Sequence, residues 1–272
     1  MDTARIEAER LLAALERIAR DAGREILDVL GAGADVIWKS DATPVTEADH
    51  RAEAVILAGL RAYFPSIPVV AEEADAEGQC PLCDASSRFF LVDPLDGTRE
   101  FIAGRDDFTV NIALVDGGVP VAGVVYAPKT GMLYSGAAGH GAFVMQVFDD
   151  GTVSERRAAR VEARPASAGA DWVALTSRNH LTPETTRYLA RFKDCQTRQL
   201  GSSLKFCLLA QGLADVYPRL GPTMQWDTAA GDAVLRAAGG TTLTLDDQPL
   251  VYGAGKQRYA NPDFVSWGKR RR

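Results

Sequence analysis

No apolar run in this 272-residue chain approaches the roughly 18 residues that a membrane-spanning helix needs. The first residues lack the basic, apolar and small-residue order of a signal peptide. Cysteine is scarce. Cys80, Cys83, Cys195 and Cys207 are too few and too scattered for a disulfide framework, so a reducing, cytoplasmic setting is expected. Cys80 and Cys83 form a lone Cys-x-x-Cys without the two further nearby ligands of a structural zinc site, and read as a surface loop carrying two thiols. Basic charge is also in short supply: 30 Lys and Arg stand against 36 Asp and Glu, a formal net charge of −6. That balance argues against a nucleic-acid polymer as partner. A small anionic substrate stays open, because local charge and metal ions govern its binding. Internal repeats and biased tracts are missing as well.

What is present is a composition ordinary for a folded enzyme, long enough for one large domain or two smaller ones. Residues 6–30 read as an amphipathic helix, with Leu11, Leu15, Ile18, Ala22, Ile26 and Val29 on one face. A strand at 36–39 and a loop at 40–44 precede a second helix, which starts near Thr46 and stops before Pro65. Strands are expected at 69–71, 89–92, 108–115, 119–126, 132–135 and 141–147, with Asp116-Gly117-Gly118 as a hairpin turn. Residues 149–170 turn polar, and a seam near 155 is expected there. Strands and helices then alternate. Strands fall at 172–176, 196–200 and 214–217, with 241–245 as the last. Helices fall at 182–192, 203–210 and 228–238, the first with Thr182 as N-cap and Pro183 at its first position. The fold class is α/β in two layered halves, an α+β half with an antiparallel sheet (1–155) and an α/β half (156–272).

The densest chemical signal is Asp93-Pro94-Leu95-Asp96-Gly97-Thr98-Arg99-Glu100-Phe101. An apolar strand delivers Asp93 at its end, Pro94 suggests a sharp turn, and Asp96 lies close enough to share an ion with Asp93. Two such carboxylates repel unless a cation neutralises them. An all-oxygen donor set suits Mg²⁺. Gly97 and Thr98 open a helix whose first amides can face an anion. The plainer alternative is a turn whose aspartates cap that helix. Glu72-Glu73 also ends an apolar strand, where sites usually lie, although an exposed acidic loop would look the same. Asp227, in Trp226-Asp227-Thr228-Ala229-Ala230-Gly231, precedes a helix of small residues that can pack close to another backbone; a simple N-cap is the alternative. In Thr43-Pro44-Val45-Thr46-Glu47-Ala48-Asp49, Thr46 with Asp49 reads first as a capping box.

Together, in this order and over nearly the whole chain, these four motifs resemble the inositol monophosphatase superfamily of lithium-sensitive, Mg²⁺-dependent phosphatases. The Asp-Pro-Leu-Asp-Gly-Thr and Trp-Asp-x-Ala-Ala-Gly strings carry the resemblance. It implies the sugar-phosphatase fold of inositol monophosphatase and fructose bisphosphatase, with the active site between the two parts. It also implies roles by matched position. Glu72, Asp93 and the Leu95 carbonyl would hold one Mg²⁺; Asp93, Asp96 and Asp227 would hold a second. Asp49 and Thr98 would orient and deprotonate the attacking water, with Glu73 assisting, and Gly97 and Thr98 would bind the scissile phosphate. Lithium would inhibit by the same resemblance, and Ca²⁺ through its looser coordination.

The second half is similar to one branch, the 3'(2'),5'-bisphosphate nucleotidases of the CysQ type. The similarity lies in Lys39-Ser40-Asp41, Ser177-Arg178-Asn179-His180, Gly201-Ser202-Ser203-Leu204-Lys205-Phe206-Cys207 and Asp215-Val216-Tyr217-Pro218-Arg219. It implies hydrolysis of adenosine 3',5'-bisphosphate to AMP and phosphate. A second phosphate needs cations beyond the metal site. Lys205 and Arg219 are the candidates, and His180 and Ser202 can add hydrogen bonds. Alternatives are an inositol-1-phosphate or histidinol-phosphate phosphatase, and a non-catalytic phosphometabolite sensor. The basic tail 269–272 reads as a solvated end, with weak attachment to an anionic membrane face as its other reading. A second copy of the chain is a candidate partner.

Overall fold

The computed structural model describes residues 3–33, 36–38, 44–161 and 172–268. Lys39-Ser40-Asp41, Thr43 and the basic tail lie outside these. α1 (Thr3–Ala32) buries the stripe containing Leu15, Ile18, Ala22, Ile26 and Val29. β1 (Val36–Trp38) pairs antiparallel with β2 (Pro44–Thr46), so Pro44, expected to end a loop, opens a strand that runs to the start of the next helix. α2 (Glu47–Tyr63) starts at a true capping box: Thr46 accepts from the Ala48 amide, and the Asp49 carboxylate accepts from the Thr46 amide.

A seven-stranded sheet follows, built from β3 (Val69–Ala71), β4 (Arg88–Asp96), β5 (Thr109–Asp116), β6 (Val119–Ala127), β7 (Met132–Ala137), β8 (Gly141–Gln146) and β9 (Arg157–Ala159). The strands lie in that order, antiparallel except for β3 on β4. Two short helices interrupt the run, α3 (Glu72–Ala76) after β3 and α4 (Thr98–Ile102) after β4. β9 was not expected in the polar stretch; it adds to the edge of this sheet through β8.

The remaining elements are β10 (Trp172–Ser177), α5 (Pro183–Leu189), β11 (Cys195–Leu200), α6 (Leu204–Ala210), β12 (Val216–Arg219), α7 (Trp226–Ala237), β13 (Thr241–Thr244) and β14 (Phe264–Trp267). They build a five-stranded mixed sheet in the order β11-β10-β12-β14-β13. The last strand is therefore β14, not 241–245, and it separates β13 from β12. Thr182 caps α5 through the Thr185 amide, with Pro183 in the first turn, but the helix ends at Leu189.

The strands alternate between two cores. In β4, Phe90 and Val92 pack with α1 and α2, while Phe89 and Leu91 face α6 and α7 on the other side. A strand apolar on both faces needs both faces covered, and here it has that. In β10, Val173 and Leu175 join the core under α6 and α7, whereas Ala174 turns outward to Leu189 and Trp267. The layers thus run α1 and α2, large sheet, α6 and α7, small sheet, α5. The central helix layer sits tightly on β6. A Cβ on Gly123 would come 2.5 Å from the Ala230 carbonyl, so the small residues of α7 do allow the close approach they suggested.

Candidate active site

Three strand or helix ends converge on one cleft between the two sheets. β3 delivers Glu72, β4 delivers Asp93 and Asp96, and the first turn of α7 delivers Asp227. Asp227 is inside the helix; the N-cap is Gln225, without a side-chain cap bond, so the N-cap alternative for Asp227 fails. Glu72, Asp93 and Asp227 each offer a carboxylate oxygen, and the three oxygens lie within 4.8 Å of one another.

The geometry of Asp93 and Asp96 corrects one expectation. Pro94 does not make a sharp turn; β4 continues to Asp96 through a bulge. Asp93 pairs with Asn111 and Asp96 with Thr109, three residues against two. In a regular strand, residues three apart point to opposite faces. One inserted residue re-aims the second carboxylate, and both line the cleft. Pro94 fits here because a bulge forgoes a ladder donor. Gly97, at φ +95°, then turns the chain into α4.

The three aspartates are each pinned by one oxygen. Asp93 Oδ1 accepts from the Leu95 amide at 3.0 Å. Asp96 Oδ2 accepts from Ser203 Oγ at 3.0 Å and Asn111 Nδ2 at 3.2 Å. Asp227 Oδ2 accepts from the Met224 amide at 3.0 Å and Thr223 Oγ1 at 3.1 Å. The cluster opposes its own ionisation. Burial, then Glu72, Asp96, Asp227 and Asp49, hold the Asp93 carboxyl well above the carboxylate range. Burial raises Asp96 against the pull of Lys205. Burial and then Asp96 push Asp227 up to about 7. Such a set is stable in its charged form only with a cation among the oxygens.

Asp49 and Glu73 do not line the cleft; they are buried behind it. Asp49 Oδ1 is 3.2 Å from Thr98 Oγ1, which does line it. Burial raises Asp49 to about 6, against the bonds from Thr46.

Gly97, His180, Ser202, Lys205 and Arg219 line the same cleft. Lys205 is buried, and its ammonium meets the carbonyls of Leu200 at 3.4 Å and Gly201 at 3.1 Å and that of Ser202. Three acceptors match its three hydrogens. Burial first, opposed by Asp96, lowers its pKa to about 8. Arg219 is different: one terminal nitrogen bonds the Pro222 carbonyl, but its buried Nε has no partner among the described residues. His180 stands at the rim, its pKa lowered by partial burial and then by Arg219, Arg99 and Lys205. Ser202 adopts φ +45°, a strained value for a residue with a side chain.

Sequence reasoning missed Asn111, Thr223 and Arg99, and passed over Ser203 inside its own motif. Asn111 had a signal, a lone amide within an apolar strand. The two thiols of the Cys-x-x-Cys are not on the surface. Cys83 is buried in the core, and Cys80 Sγ lies 3.4 Å from both the amide and the carbonyl of Ala71. Apolar packing and the Ala71 backbone draw them in.

A layered α/β fold with a carboxylate-lined cleft between its sheets is that of the inositol monophosphatases. The chain belongs to the inositol monophosphatase family, whose model matches residues 7–269. Within it, this chain is similar to 3'(2'),5'-bisphosphate nucleotidase CysQ of Escherichia coli strain K12, 42% identical over 250 residues, 91% of this chain and 96% of that protein. The CysQ nucleotidase of Buchnera aphidicola is 38% identical over 260 residues, 94% and 93% of the two chains. The crystal structure of CysQ from Bacteroides thetaiotaomicron superposes with a TM-score of 0.75 at 37% identity, covering 96% of this chain and 98% of that one. Extragenic suppressor protein suhB from Bartonella henselae, at 28% identity, gives 0.73 over 96% and 94%. No helix among the described residues is long and apolar enough to cross a membrane.

Proposed function

We propose that this chain is a Mg²⁺-dependent phosphatase that removes the 3'-phosphate of adenosine 3',5'-bisphosphate, yielding AMP and phosphate. The observation that carries this reading is a single cleft lined by both carboxylates and cations: Glu72, Asp93, Asp96 and Asp227 stand with Arg219, Lys205, Arg99 and His180. We read these as two poles, one for metal and one for a second phosphate. A bisphosphate spans such a pair of poles; an inositol monophosphate needs only the first.

The donor set is all oxygen, pinned by hydrogen bonds and short of positive charge, which fits Mg²⁺. Glu72, Asp93 and the Leu95 carbonyl would hold one Mg²⁺, and Asp93, Asp96 and Asp227 a second. When bound, Mg²⁺ neutralises phosphate oxygens, eases deprotonation of water and stabilises the leaving alkoxide. The Thr98 hydroxyl has Asp49 Oδ1 at 3.2 Å and the Leu95 carbonyl at 3.3 Å as acceptors; donating to Asp49 leaves its oxygen free to accept from the attacking water. The Asp49 carboxylate, buried beneath, takes up proton density through that bond, with Glu73 beside it. The amides of Gly97 and Thr98 orient the scissile phosphate. Arg219 supplies hydrogen-bond donors for the 5'-phosphate, Lys205 supplies buried positive charge, and Ser202 and His180 complete the contacts. Four free thiols support a reducing, cytoplasmic setting.

The test is phosphate release with Mg²⁺ from adenosine 3',5'-bisphosphate and from inositol 1-phosphate at matched low concentration. A nucleotide preference of about a hundredfold in kcat/KM, ~2.7 kcal/mol, supports the reading. Equal rates or a preference for inositol phosphate overturn the substrate assignment and leave the metal site standing.

A further inference from the structure

We infer that Glu53 is a positioning residue that sets the affinity of the site for its metal, by holding the helix turn that carries Glu72. The inference rests on the reading of Glu72 as a metal ligand and extends it to a residue that never reaches the cleft.

α3 is only five residues long, and its N-cap, Ala71, has no side chain with which to cap it. The first amides of a helix have no acceptor within it, and a helix this short does not persist alone. The missing acceptors come from another helix. Glu53 of α2 accepts from the Glu73 amide through Oε2 and from the Ala74 amide through Oε1, both at 3.0 Å. Both oxygens of one carboxylate are thus spent on two consecutive amides next to Glu72. Glu53 is buried at 7% exposure, and among the described residues no lysine or arginine pairs with it. A carboxylate is costly to bury without compensation; the two amides offset part of that cost, and burial still leaves the Glu53 carboxyl raised above its ordinary value.

The placement ties two parts of the site to one ruler. Asp49 lies one turn before Glu53 on the same face of α2 and reaches Thr98 on α4. α2 therefore sets the distance between the water-orienting hydroxyl and the metal carboxylate of Glu72. Glutamate is specifically required. A glutamine could accept one amide, but its own NH₂ would face the other, donor against donor.

The experiment is calorimetric titration of Mg²⁺ into the wild-type chain and into Glu53→Gln, with Glu72→Gln and Ser135→Ala alongside. Ser135→Ala removes a buried bond from β7 to Glu16 of α1, on elements that carry no site carboxylate, and serves as a destabilised control. Glu53→Gln should bind Mg²⁺ about tenfold to a hundredfold more weakly, the usual effect of removing a group that orients a ligand. The Mg²⁺ concentration for half-maximal phosphate release should rise by the same factor, while kcat at saturating Mg²⁺ stays within about threefold. Ser135→Ala should lower Tm without changing Mg²⁺ affinity. Wild-type Mg²⁺ affinity in a folded Glu53→Gln overturns the inference, as does an equal loss in Ser135→Ala. If Glu53→Gln does not fold, Glu53→Asp keeps the charge and falls one methylene short; unchanged affinity there also overturns it. Unchanged Mg²⁺ affinity in Glu72→Gln removes the metal-ligand reading itself, and the inference falls with it.

Discussion

Asp49 Oδ1 lies 3.2 Å from the Thr98 hydroxyl, while Asp49 Oδ2 holds both the amide and the hydroxyl of Thr46 at 2.7 Å. One carboxylate therefore caps α2 and reaches the cleft. Asp49→Asn should lower kcat by about a hundredfold to ten-thousandfold, the range for loss of a positioned base. It should also cost ~1 kcal/mol of stability through the cap. Thr98→Val should match the kcat loss without the cap penalty, and Thr98→Ser should restore most activity. Steady-state rates with melting curves check this; a wild-type kcat in Asp49→Asn would remove the carboxylate from the chemistry.

The carboxylate cluster makes stability depend on pH in a definite direction. Asp49 (to about 6), Asp227 (to about 7), Asp93 and Asp96 are all raised above their ordinary value of 3.8. The native chain then binds more protons than the unfolded chain between about pH 4 and 7, so stability falls as pH rises through that window. Metal-free protein in EDTA should melt at a lower temperature at pH 8 than at pH 5.5. Saturating Mg²⁺ should flatten the slope, because the cation binds the ionised native form. A Tm that rises with pH in EDTA would contradict the cluster electrostatics.

Asp96→Asn separates fold from function by opposite signs. It removes one repelling charge beside Asp93 and Asp227, so Tm in EDTA should rise. It also removes a metal charge, so the Mg²⁺-induced gain in Tm and phosphate release should both vanish. A folded variant with a near-normal rate would sink the two-metal assignment.

In the cleft wall, Arg219 Nε has no partner among the described residues. Loss of a charged hydrogen-bond donor costs about 1.5–3 kcal/mol. Arg219→Ala should therefore raise KM for adenosine 3',5'-bisphosphate by about tenfold to a hundredfold and spare inositol 1-phosphate. Equal losses on both substrates would count against a 5'-phosphate clamp.

At Gly123, the backbone of α7 leaves no room for a side chain. Gly123→Ala should cost ~1–3 kcal/mol through overpacking. It should also weaken Mg²⁺ binding, because the strain falls on the helix that carries Asp227. Chemical denaturation and Mg²⁺ titration of the one variant check both effects.

Legibility differed by kind of element. α1, the β5–β6 hairpin and the Thr182-Pro183 helix start were readable because period, turn and cap are local properties. β2, β9 and β14 were not; each is short, and each exists because a partner strand supplies its hydrogen bonds. The metal-ligand candidates were readable as residue types, Glu72, Asp93 and Asp96 because carboxylates at strand ends stand out against apolar sequence and Asp227 because it opens a run of small residues. Their aim was not. The bulge that turns Asp96 toward Asp93 is a matter of register with β5, fifteen residues away.

The sequence by itself singled out the groups proposed to carry the chemistry, Glu72, Asp93, Asp96, Asp227, Asp49 and Thr98, in motifs specific enough to name a family. Only the tertiary structure decided how those groups are held. It turned the Lys205 ammonium to backbone carbonyls, left Arg219 with a donor unpartnered among the described residues, and placed Glu53 under the turn that bears Glu72. The reason is physical. Residue type is written locally, but a hydrogen-bond partner is settled by packing between segments far apart in the chain, and no local pattern encodes that.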